Sequence, residues 1–258
     1  MSESDADRAY RAQVLEQLRR IQIRLDDLGM VQRMALLGEN RTLRFTRRDE
    51  EMQFFLPYAA TDLIQRIILR SNNFFEIDVL ERCRRYIPQG ASIIDAGANI
   101  GNHAVYFAKL CGAKKIFAFE PLRQTFKILE RNIQLNAPEK IQCFNFALGA
   151  AEGKADLRKY SLDNLGATVL GVSDAGQYPV LPLDSFEFDA LDVIKIDVEG
   201  AEVSVLEGAR QTLAKFRPVI VTEILPETGQ DSDEKLKALN YRRVDALSGR
   251  DFVYCHNG

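Results

Sequence analysis

The chain has 258 residues, of which 46% are hydrophobic and 28% are charged, and its formal net charge is −3. This length and composition indicate a soluble globular protein with a substantial core and exclude a disordered chain. Apolar runs stay short of the roughly 20 residues needed to cross a bilayer. The negative net charge argues against strong nucleic-acid binding, because that affinity depends on many Lys and Arg contacts to phosphate.

The N-terminus and the cysteines give an expectation of compartment. The segment from Met1 to Arg8 is charged and lacks the apolar stretch of a signal peptide. The four cysteines lie far apart without C-x-x-C spacing, which is typical of free thiols and not of a zinc site or a disulfide framework. We therefore expect a reducing, cytoplasmic location.

Residues 1–38 form the first predicted unit, an amphipathic helix. Apolar residues recur in alternating steps of four and three, the spacing of a coiled coil, until Gly29 interrupts the pattern. These residues are Val14, Leu18, Ile21, Leu25 and Leu28. The pattern allows two interpretations, a helix that pairs with another chain or partner, and a helix that lies on its own catalytic domain.

Residues 39–90 are predicted to be a helical cap, with a short strand and then helices. The segment Thr61–Arg70 carries Leu63, Ile64, Ile67 and Ile68 on one helical face, and Ile77–Ile87 repeats the pattern. The sequence Pro88-Gln89-Gly90 then ends the helix.

Residues 91–258 alternate strands with helices, which predicts βαβ units and a mostly parallel sheet. The predicted strands are 91–95, 115–119, 141–146, 191–196 and 218–222, and the predicted helices are 102–110, 122–135, 201–215 and 234–239. The segments 241–246 and 251–255 flank Ser248-Gly249-Arg250 and predict an antiparallel hairpin at the end of the sheet. An insertion, 150–187, holds two possible strands, 154–158 and 178–182, and is otherwise loop-like.

The first strand of this unit ends in the motif Asp95-x-Gly97-x-Asn99-x-Gly101 and leads directly into a helix. In a doubly wound sheet a nucleotide-like ligand lies at this edge. The glycine spacing differs from the G-x-G-x-x-G of a dinucleotide fold, which disfavours an NAD-dependent oxidoreductase. Asp95 would repel a phosphate but would suit an ammonium or a hydroxyl. S-adenosylmethionine has such groups and no phosphate.

The next two strands end in further polar residues. Glu120 follows the second strand, where a carboxylate accepts hydrogen bonds from both ribose hydroxyls. Asn145 lies among apolar neighbours near the end of the third strand, where an adenine ring could bind. Asn is also ordinary turn chemistry at such a place.

The fourth strand ends in Asp197-Val-Glu199-Gly-Ala-Glu202, and the fifth ends at Thr222-Glu223. Asp197 and Glu223 are therefore expected at the ends of neighbouring strands, facing one crevice. Such a pair could hold a divalent cation, act as a general base on a hydroxyl, or bind a cofactor ammonium. His103, on the first turn after the glycine motif, is a minor catalytic candidate.

Together these motifs resemble the FkbM family of methyltransferases. The resemblance rests on residues 94–101, 119–121 and 194–202, with Leu183-Asp184-Ser185 and Phe75-Glu76 in support. It implies the class I methyltransferase fold, with a seven-stranded, mostly parallel sheet that ends in an antiparallel hairpin. His103 departs from the pattern, since a small residue is expected there.

The resemblance also implies the cofactor, S-adenosylmethionine, and the reaction, O-methylation of a sugar, polysaccharide or polyketide-type hydroxyl. The expected cofactor-binding residues are Glu76, Asp95, Gly97, Asn99, Gly101, Glu120, Asn145, Ala147 and Asp197. The expected catalytic residues are Asp197, Glu223 and His103, and the first two would be the ligands of a divalent cation if one is used.

Two alternatives remain open from the sequence. The acceptor could be another small molecule methylated on nitrogen or oxygen, although the Asn-Pro-Pro-Tyr type of loop that grips an exocyclic amine is absent after the fourth strand. The chain could be a non-catalytic scaffold that binds a partner through its N-terminal helix. A homo-oligomer formed through that helix is compatible with the enzyme and with the scaffold.

Overall fold

The computed structural model describes residues 5–159, 163–224 and 229–258. The helices are α1 Asp5–Leu36, α2 Leu63–Ser71, α3 Ile77–Cys83, α4 Asn102–Leu110, α5 Arg123–Asn136, α6 Glu202–Glu207, α7 Arg210–Phe216 and α8 Gly229–Ala238. The strands are β1 Thr42–Arg47, β2 Glu50–Phe55, β3 Ser92–Ala96, β4 Lys115–Phe119, β5 Ile141–Phe144, β6 Ala147–Leu148, β7 Gly153–Lys159, β8 Val169–Val172, β9 Tyr178–Leu181, β10 Val193–Ile196, β11 Val219–Glu223, β12 Tyr241–Ala246 and β13 Asp251–His256.

A seven-stranded sheet forms the centre of the protein, in the order β12-β13-β11-β10-β3-β4-β5. Five neighbouring strands, from β11 to β5, are parallel, whereas β13 runs antiparallel to both β11 and β12. The strands β3 and β10 are buried at every position, because helices cover both faces of a doubly wound sheet. The predicted sheet and its C-terminal hairpin are confirmed.

The predicted insertion contains more regular structure than the sequence indicated. Its strands β7, β8 and β9 join β6 in a second, four-stranded sheet. The segment around Gly171, expected to be a loop, is in β8. Residues 160–162 of the insertion lie outside the described part of the chain.

The segment before the central sheet also departs from expectation, since it opens with an antiparallel hairpin of β1 and β2 and not with a single strand. Arg47 lies opposite Glu50 across the turn, where Arg48 and Asp49 both adopt left-handed backbone. Asn132 of α5 accepts from the Phe55 amide at 2.6 Å and donates to the Ile100 carbonyl at 2.8 Å. The hairpin is therefore attached to the helix beside the glycine motif.

The helix α1 continues through Gly29 to Leu36. Its last turns contact the rest of the protein, where Met30 and Met34 pack on the core and Arg33 donates to the Leu69 carbonyl at 3.2 Å. Leu18, Ile21 and Leu28 are 56%, 54% and 63% exposed. The helix therefore does not lie on its own domain along this face. The side chain of Leu25 is outside the described part.

Two smaller expectations concern the cysteines and the membrane. Cys83 and Cys111 are buried, Cys143 and Cys255 are half-buried, and all four are free thiols, as predicted. Among the described residues, the helices lack the length or the apolar character that a bilayer crossing needs.

Candidate active site

A cavity of about 310 Å³ opens at the carboxyl edge of the central sheet. Its floor comes from the ends of β3, β4, β10 and β11. One wall comes from Leu63, Ile64, Phe75 and Glu76 of the preceding segment, and another comes from residues 164–168 and Leu170 of the insertion. The volume lies at the lower end of the range for small-molecule sites.

The glycine motif turns sharply at the cavity floor. Gly97 has φ of 77° and packs so tightly that a Cβ there would lie 1.7 Å from the Asp197 carbonyl oxygen. The amides of Gly97 and Ala98 both donate to the Phe119 carbonyl at 3.0 and 2.9 Å. Gly101, with φ of 89°, caps α4 and does not line the cavity. A glycine is thus required at position 97 because the backbone there approaches the loop after β10.

Glu120 connects the glycine motif to the end of β4. Its Oε2 accepts from the Asn99 amide at 3.0 Å, and its Oε1 accepts from the Leu122 amide at 2.9 Å. Both oxygens keep a second lone pair for a ligand hydroxyl. Burial raises the pKa of Glu120 to about 7, although the two backbone donors oppose the shift. Glu120 and Asn99 both line the cavity.

Asn145 holds the loop that presents Glu120. Its amide donates to the carbonyl oxygens of Glu120 and Pro121 at 2.9 and 3.0 Å, and the residue is not part of the cavity lining. Its neighbours Phe146 and Ala147 do line the cavity. The Phe146 ring lies 5.6 Å from the Phe119 ring, so the adjacent wall is apolar and aromatic.

Asp95 lies beneath the cavity and not in its lining. It is fully buried, and its Oδ1 is 3.3 Å from the Nζ of Lys195, itself a buried residue. Lys195 also lies 3.2 Å from Asp197 Oδ2 and donates to the Gly97 carbonyl at 3.2 Å. The sequence predicted that the Asp95 carboxylate contacts the cofactor; in the structure its neighbour is Lys195, and the contact with a cofactor stays a prediction.

Asp197 and Glu223 do meet in the cavity, as their places at neighbouring strand ends predicted. Burial alone would raise the pKa of Asp197, but the Lys195 charge and the hydrogen bond from Glu223 hold it below its usual range. Burial and the charges of Asp197 and Glu199 raise the pKa of Glu223 to about 8. At neutral pH the pair therefore shares one proton, which Glu223 donates to Asp197.

Glu199 joins this pair. Asp197, Glu199 and Glu223 each offer a carboxylate oxygen within 4.8 Å of the others, so the three could hold a divalent cation. Burial, followed by the Asp197 charge, raises the pKa of Glu199 to about 7. The sequence analysis named Glu199 in the motif after the fourth strand but did not include it among the expected site residues.

Three non-glycine residues of the cavity lining adopt left-handed backbone: Glu76, Asn99 and Glu199, with φ of 53°, 49° and 53°. Such strain persists where the surrounding structure enforces it, and it is concentrated at functional sites.

Burial, followed by the charges of Asp251 and Asp197, raises the pKa of Glu76 to about 7. The Arg250 guanidinium lies 3.4 Å from Glu223 and is 61% exposed.

His103 lines the cavity, close to the acidic pair. Burial, with the Lys195 charge, lowers its pKa to about 3, so its ring is neutral at physiological pH. The ring packs edge-on against Phe107, with centroids 6.0 Å apart. A neutral imidazole with this pKa is a weaker base than the Glu223 carboxylate, whose pKa is about 8, which favours Glu223 over His103 for proton removal.

Asp62 joins the two cavity walls. Its Oδ1 accepts from the Gln65 amide at 2.9 Å and caps α2, while its Oδ2 accepts from the Leu165 amide of the insertion at 3.0 Å. The Leu63 amide donates in turn to the Asp163 carbonyl at 2.9 Å. Asn102 similarly binds both backbone groups of Phe75, at 2.9 and 3.0 Å, and so positions the residue next to Glu76.

Sequence reasoning missed Lys195, Asp62 and the aromatic wall. A signal existed for Lys195, since a charged residue within the apolar strand Val193–Ile196 must find buried partners. Asp62 could have been recognised only as a helix cap, because its second partner lies about a hundred residues away in the chain.

The order of the central strands, the reversed strand β13 and the cavity beyond β3 and β10 define a class I methyltransferase. The model of the methyltransferase FkbM domain matches residues 95–243. The chain belongs to this family and is a methyltransferase.

The chain is similar to Methyltransferase 1 of Beauveria bassiana, with 26% identity over 174 residues that cover 57% of this chain and 70% of the relative. It is also similar to the hexuronic acid methyltransferase AglP of Haloferax volcanii, with 29% identity over 176 residues, 66% of this chain and 70% of the relative. Among solved structures, the methyltransferase FkbM of Methylobacillus flagellatus has a TM-score of 0.49 and 18% identity. That match covers 75% of this chain, which spans about half of the other, 52%.

Proposed function

We propose that the protein transfers a methyl group from S-adenosylmethionine to a hydroxyl of a sugar, a polysaccharide or a polyketide-type product. The observation that carries the proposal is that the carboxylates of Asp197 and Glu223 lie within 4.8 Å of each other on the same cavity floor as Glu120. The first two residues suit proton removal from a hydroxyl, and the third suits a ribose.

The residues of the cavity fit this cofactor. The free lone pairs of Glu120 would accept from the ribose hydroxyls, and the wall of Phe146 and Leu122 would contact the adenine. When bound, the cofactor supplies a methyl group on a positively charged sulfur. The carboxylates of Glu76, Asp197 and Glu199 are complementary to the positive charges of its methionine part.

The protein's share of the reaction is alignment and proton removal. The acceptor hydroxyl would donate to the Asp197–Glu223 pair, and the pair would take up its proton as the methyl group passes from sulfur to the acceptor oxygen. The sulfur–methyl bond breaks in the same step, and its electron pair remains on sulfur, which becomes a neutral thioether. Lys195 keeps Asp197 ionised and able to accept that hydrogen bond. The apolar wall from the insertion would exclude water from the reacting atoms.

A sugar acceptor is supported by the similarity to AglP, whose name states a hexuronic acid substrate. Calorimetry with S-adenosylmethionine tests the cofactor, and absence of binding would favour the scaffold alternative. A panel of sugars and macrolides with labelled methyl donor tests the acceptor. The variant Asp197→Ala should lose turnover, and an unchanged rate would remove Asp197 from the mechanism.

The second part of the proposal is a divalent cation bound by Asp197, Glu199 and Glu223. It can be tested separately from the methyl transfer. A cation there would displace the shared proton and polarise the acceptor hydroxyl. Dialysis against a chelator, followed by addition of Mg²⁺ or Mn²⁺, distinguishes the two routes. Full activity after chelation assigns proton removal to the carboxylates alone.

For α1 we propose pairing with a second copy of the chain. The exposed residues Leu18, Ile21 and Leu28 lie on the face away from Met30 and Met34, and their heptad spacing suits a coiled coil. Light scattering on Ile21→Glu should show a lower mass than the wild type. The control Gln13→Glu adds the same charge outside the heptad positions, and equal masses for all three proteins would contradict pairing.

A further inference from the structure

Lys195 is a buried cation in the floor of the cavity and is one of its lining residues. It is 6% exposed, and the other three residues of its strand, Val193, Ile194 and Ile196, are buried and apolar. A lysine in such a place loses its hydration, which is strongly unfavourable unless the ammonium is paired and hydrogen-bonded. Its retention therefore requires partners of compensating strength.

Three acceptors surround the ammonium. Its Nζ lies 3.3 Å from Asp95 Oδ1, 3.2 Å from Asp197 Oδ2 and 3.2 Å from the Gly97 carbonyl oxygen. The contact with the Gly97 carbonyl is a hydrogen bond, and the two contacts with the carboxylates are ion pairs. Lys195 is thus held by both carboxylates and by the glycine turn.

The three acceptors come from two different loops. Asp95 and Gly97 belong to the end of β3 and the turn after it, whereas Asp197 follows β10. The backbones of these loops also touch, since the Asp197 amide donates to the Ala96 carbonyl at 3.1 Å. A shift in either loop would therefore lengthen at least one of the Lys195 contacts.

We propose that Lys195 is a positioning residue that holds the Asp197 carboxylate in a fixed orientation relative to the glycine turn. The inference rests on the proposed function, because the turn would contact the methyl donor and Asp197 would face its methionine part and the acceptor. In this role Lys195 acts through Asp197, with which it forms an ion pair at 3.2 Å.

A purely electrostatic role is the main alternative, in which Lys195 only neutralises the buried Asp95. The two roles predict different results once Asp95 has lost its charge. We therefore place every test variant in an Asp95→Asn background, where removing Lys195 strands no fully buried carboxylate.

The experiment is a double-mutant cycle on the affinity for S-adenosylmethionine, measured by calorimetry without an acceptor. Lys195→Met should weaken binding at least tenfold in the Asp95→Asn background. When Asp197→Asn is also present, the same change should alter the affinity less than twofold, because the residue that Lys195 positions is already disabled. Equal losses with and without Asp197→Asn, or no loss in either, would overturn the proposal.

Thermal unfolding of each variant accompanies the cycle. If the Met variant does not fold, Lys195→Gln is used in its place, since its amide keeps N–H donors near Asp197. Lys215→Met removes an exposed lysine that lies over the Phe216 ring and should leave the affinity unchanged. If the wild-type protein does not bind S-adenosylmethionine, the proposed function itself is contradicted. If the wild type binds but the cycle shows no coupling between Lys195 and Asp197, only the role of Lys195 is contradicted.

Discussion

Gly97 and Asp197 approach so closely that a Cβ atom at Gly97 would lie 1.7 Å from the Asp197 carbonyl oxygen. Two loops that are a hundred residues apart in the chain are thereby locked together at the cavity floor. The glycine motif and the acidic strand end are therefore one structural unit.

The first prediction concerns this contact. Gly97→Ala should lower the melting temperature strongly and abolish cofactor binding, because the left-handed backbone costs about 1–2 kcal/mol and the clash displaces the Asp197 loop as well. Gly90→Ala is a matched control, since Gly90 has φ of 78° and open space around its Cβ position. Calorimetry and thermal unfolding measure both variants, and equal losses in the two would show that the contact is unimportant.

The spacing of apolar residues predicted the helices and strands whose bounds depend on neighbouring residues alone. The helix Asn102–Leu110 and the strand Lys115–Phe119 have the predicted bounds, because an apolar face or a short apolar run defines each of them. The expected single helix 201–215 is divided into α6 and α7 near Gly208, where a Cβ would lie 1.9 Å from the Gly149 carbonyl. A contact between distant segments leaves no periodic signal.

In the candidate site too, the sequence predicted the positions of residues but not the partners of their side chains. Strand ends placed Glu120, Asp197 and Glu223 at one edge of the sheet, since carboxyl ends of parallel strands meet there. The same reasoning could not show that Asn145 binds backbone carbonyls or that Asp95 pairs with Lys195. The direction of a side chain at a strand end depends on packing that a spacing rule does not contain.

The second prediction is the pH dependence of turnover. With one shared proton, only the weakly basic Asp197 can accept the acceptor's proton, whereas loss of the Glu223 proton makes the pair a stronger base. Because the pKa of Glu223 is about 8, kcat should rise with pH toward that value, and a bound sulfonium should move the midpoint lower. Glu223→Gln should remove this rise and reduce kcat about 10²-fold or more. A wild-type profile in that variant would contradict the assignment.

The third prediction is that the protein without cofactor loses stability as pH rises. The folded-state pKa values of Glu76, Glu120 and Glu199 are about 7 and that of Glu223 is about 8, all above the usual 4.5. The folded state then binds more protons than the unfolded state, so this stability is fully present below pH 4.5 and is lost as pH rises through 7 to 8.

Thermal unfolding from about pH 6.5 to 8.5 measures this effect. His103, whose pKa is lowered, makes the stability change with pH in the opposite direction, but its contribution in this window is small. Glu223→Gln should flatten the dependence, because one titrating group is removed. Glu207→Gln changes an exposed carboxylate whose pKa is lowered by Lys235, and should leave the slope unchanged. A melting temperature that is constant or rises across the window would contradict the carboxylate explanation.

The last prediction separates the two hydrogen bonds of Asp62. An Asn there has one acceptor oxygen, so Asp62→Asn should keep the α2 cap from Gln65 and lose the Leu165 contact, whereas Asp62→Ala loses both. We expect about 1 kcal/mol of destabilisation for each lost bond and more for a buried amide left unpaired. In Asp62→Asn, hydrogen exchange should quicken in residues 163–170 and not in α2, and KM for the acceptor should rise with little change in kcat. Faster exchange in α2 alone would mean that Asp62 caps the helix and does not hold the insertion against the cavity.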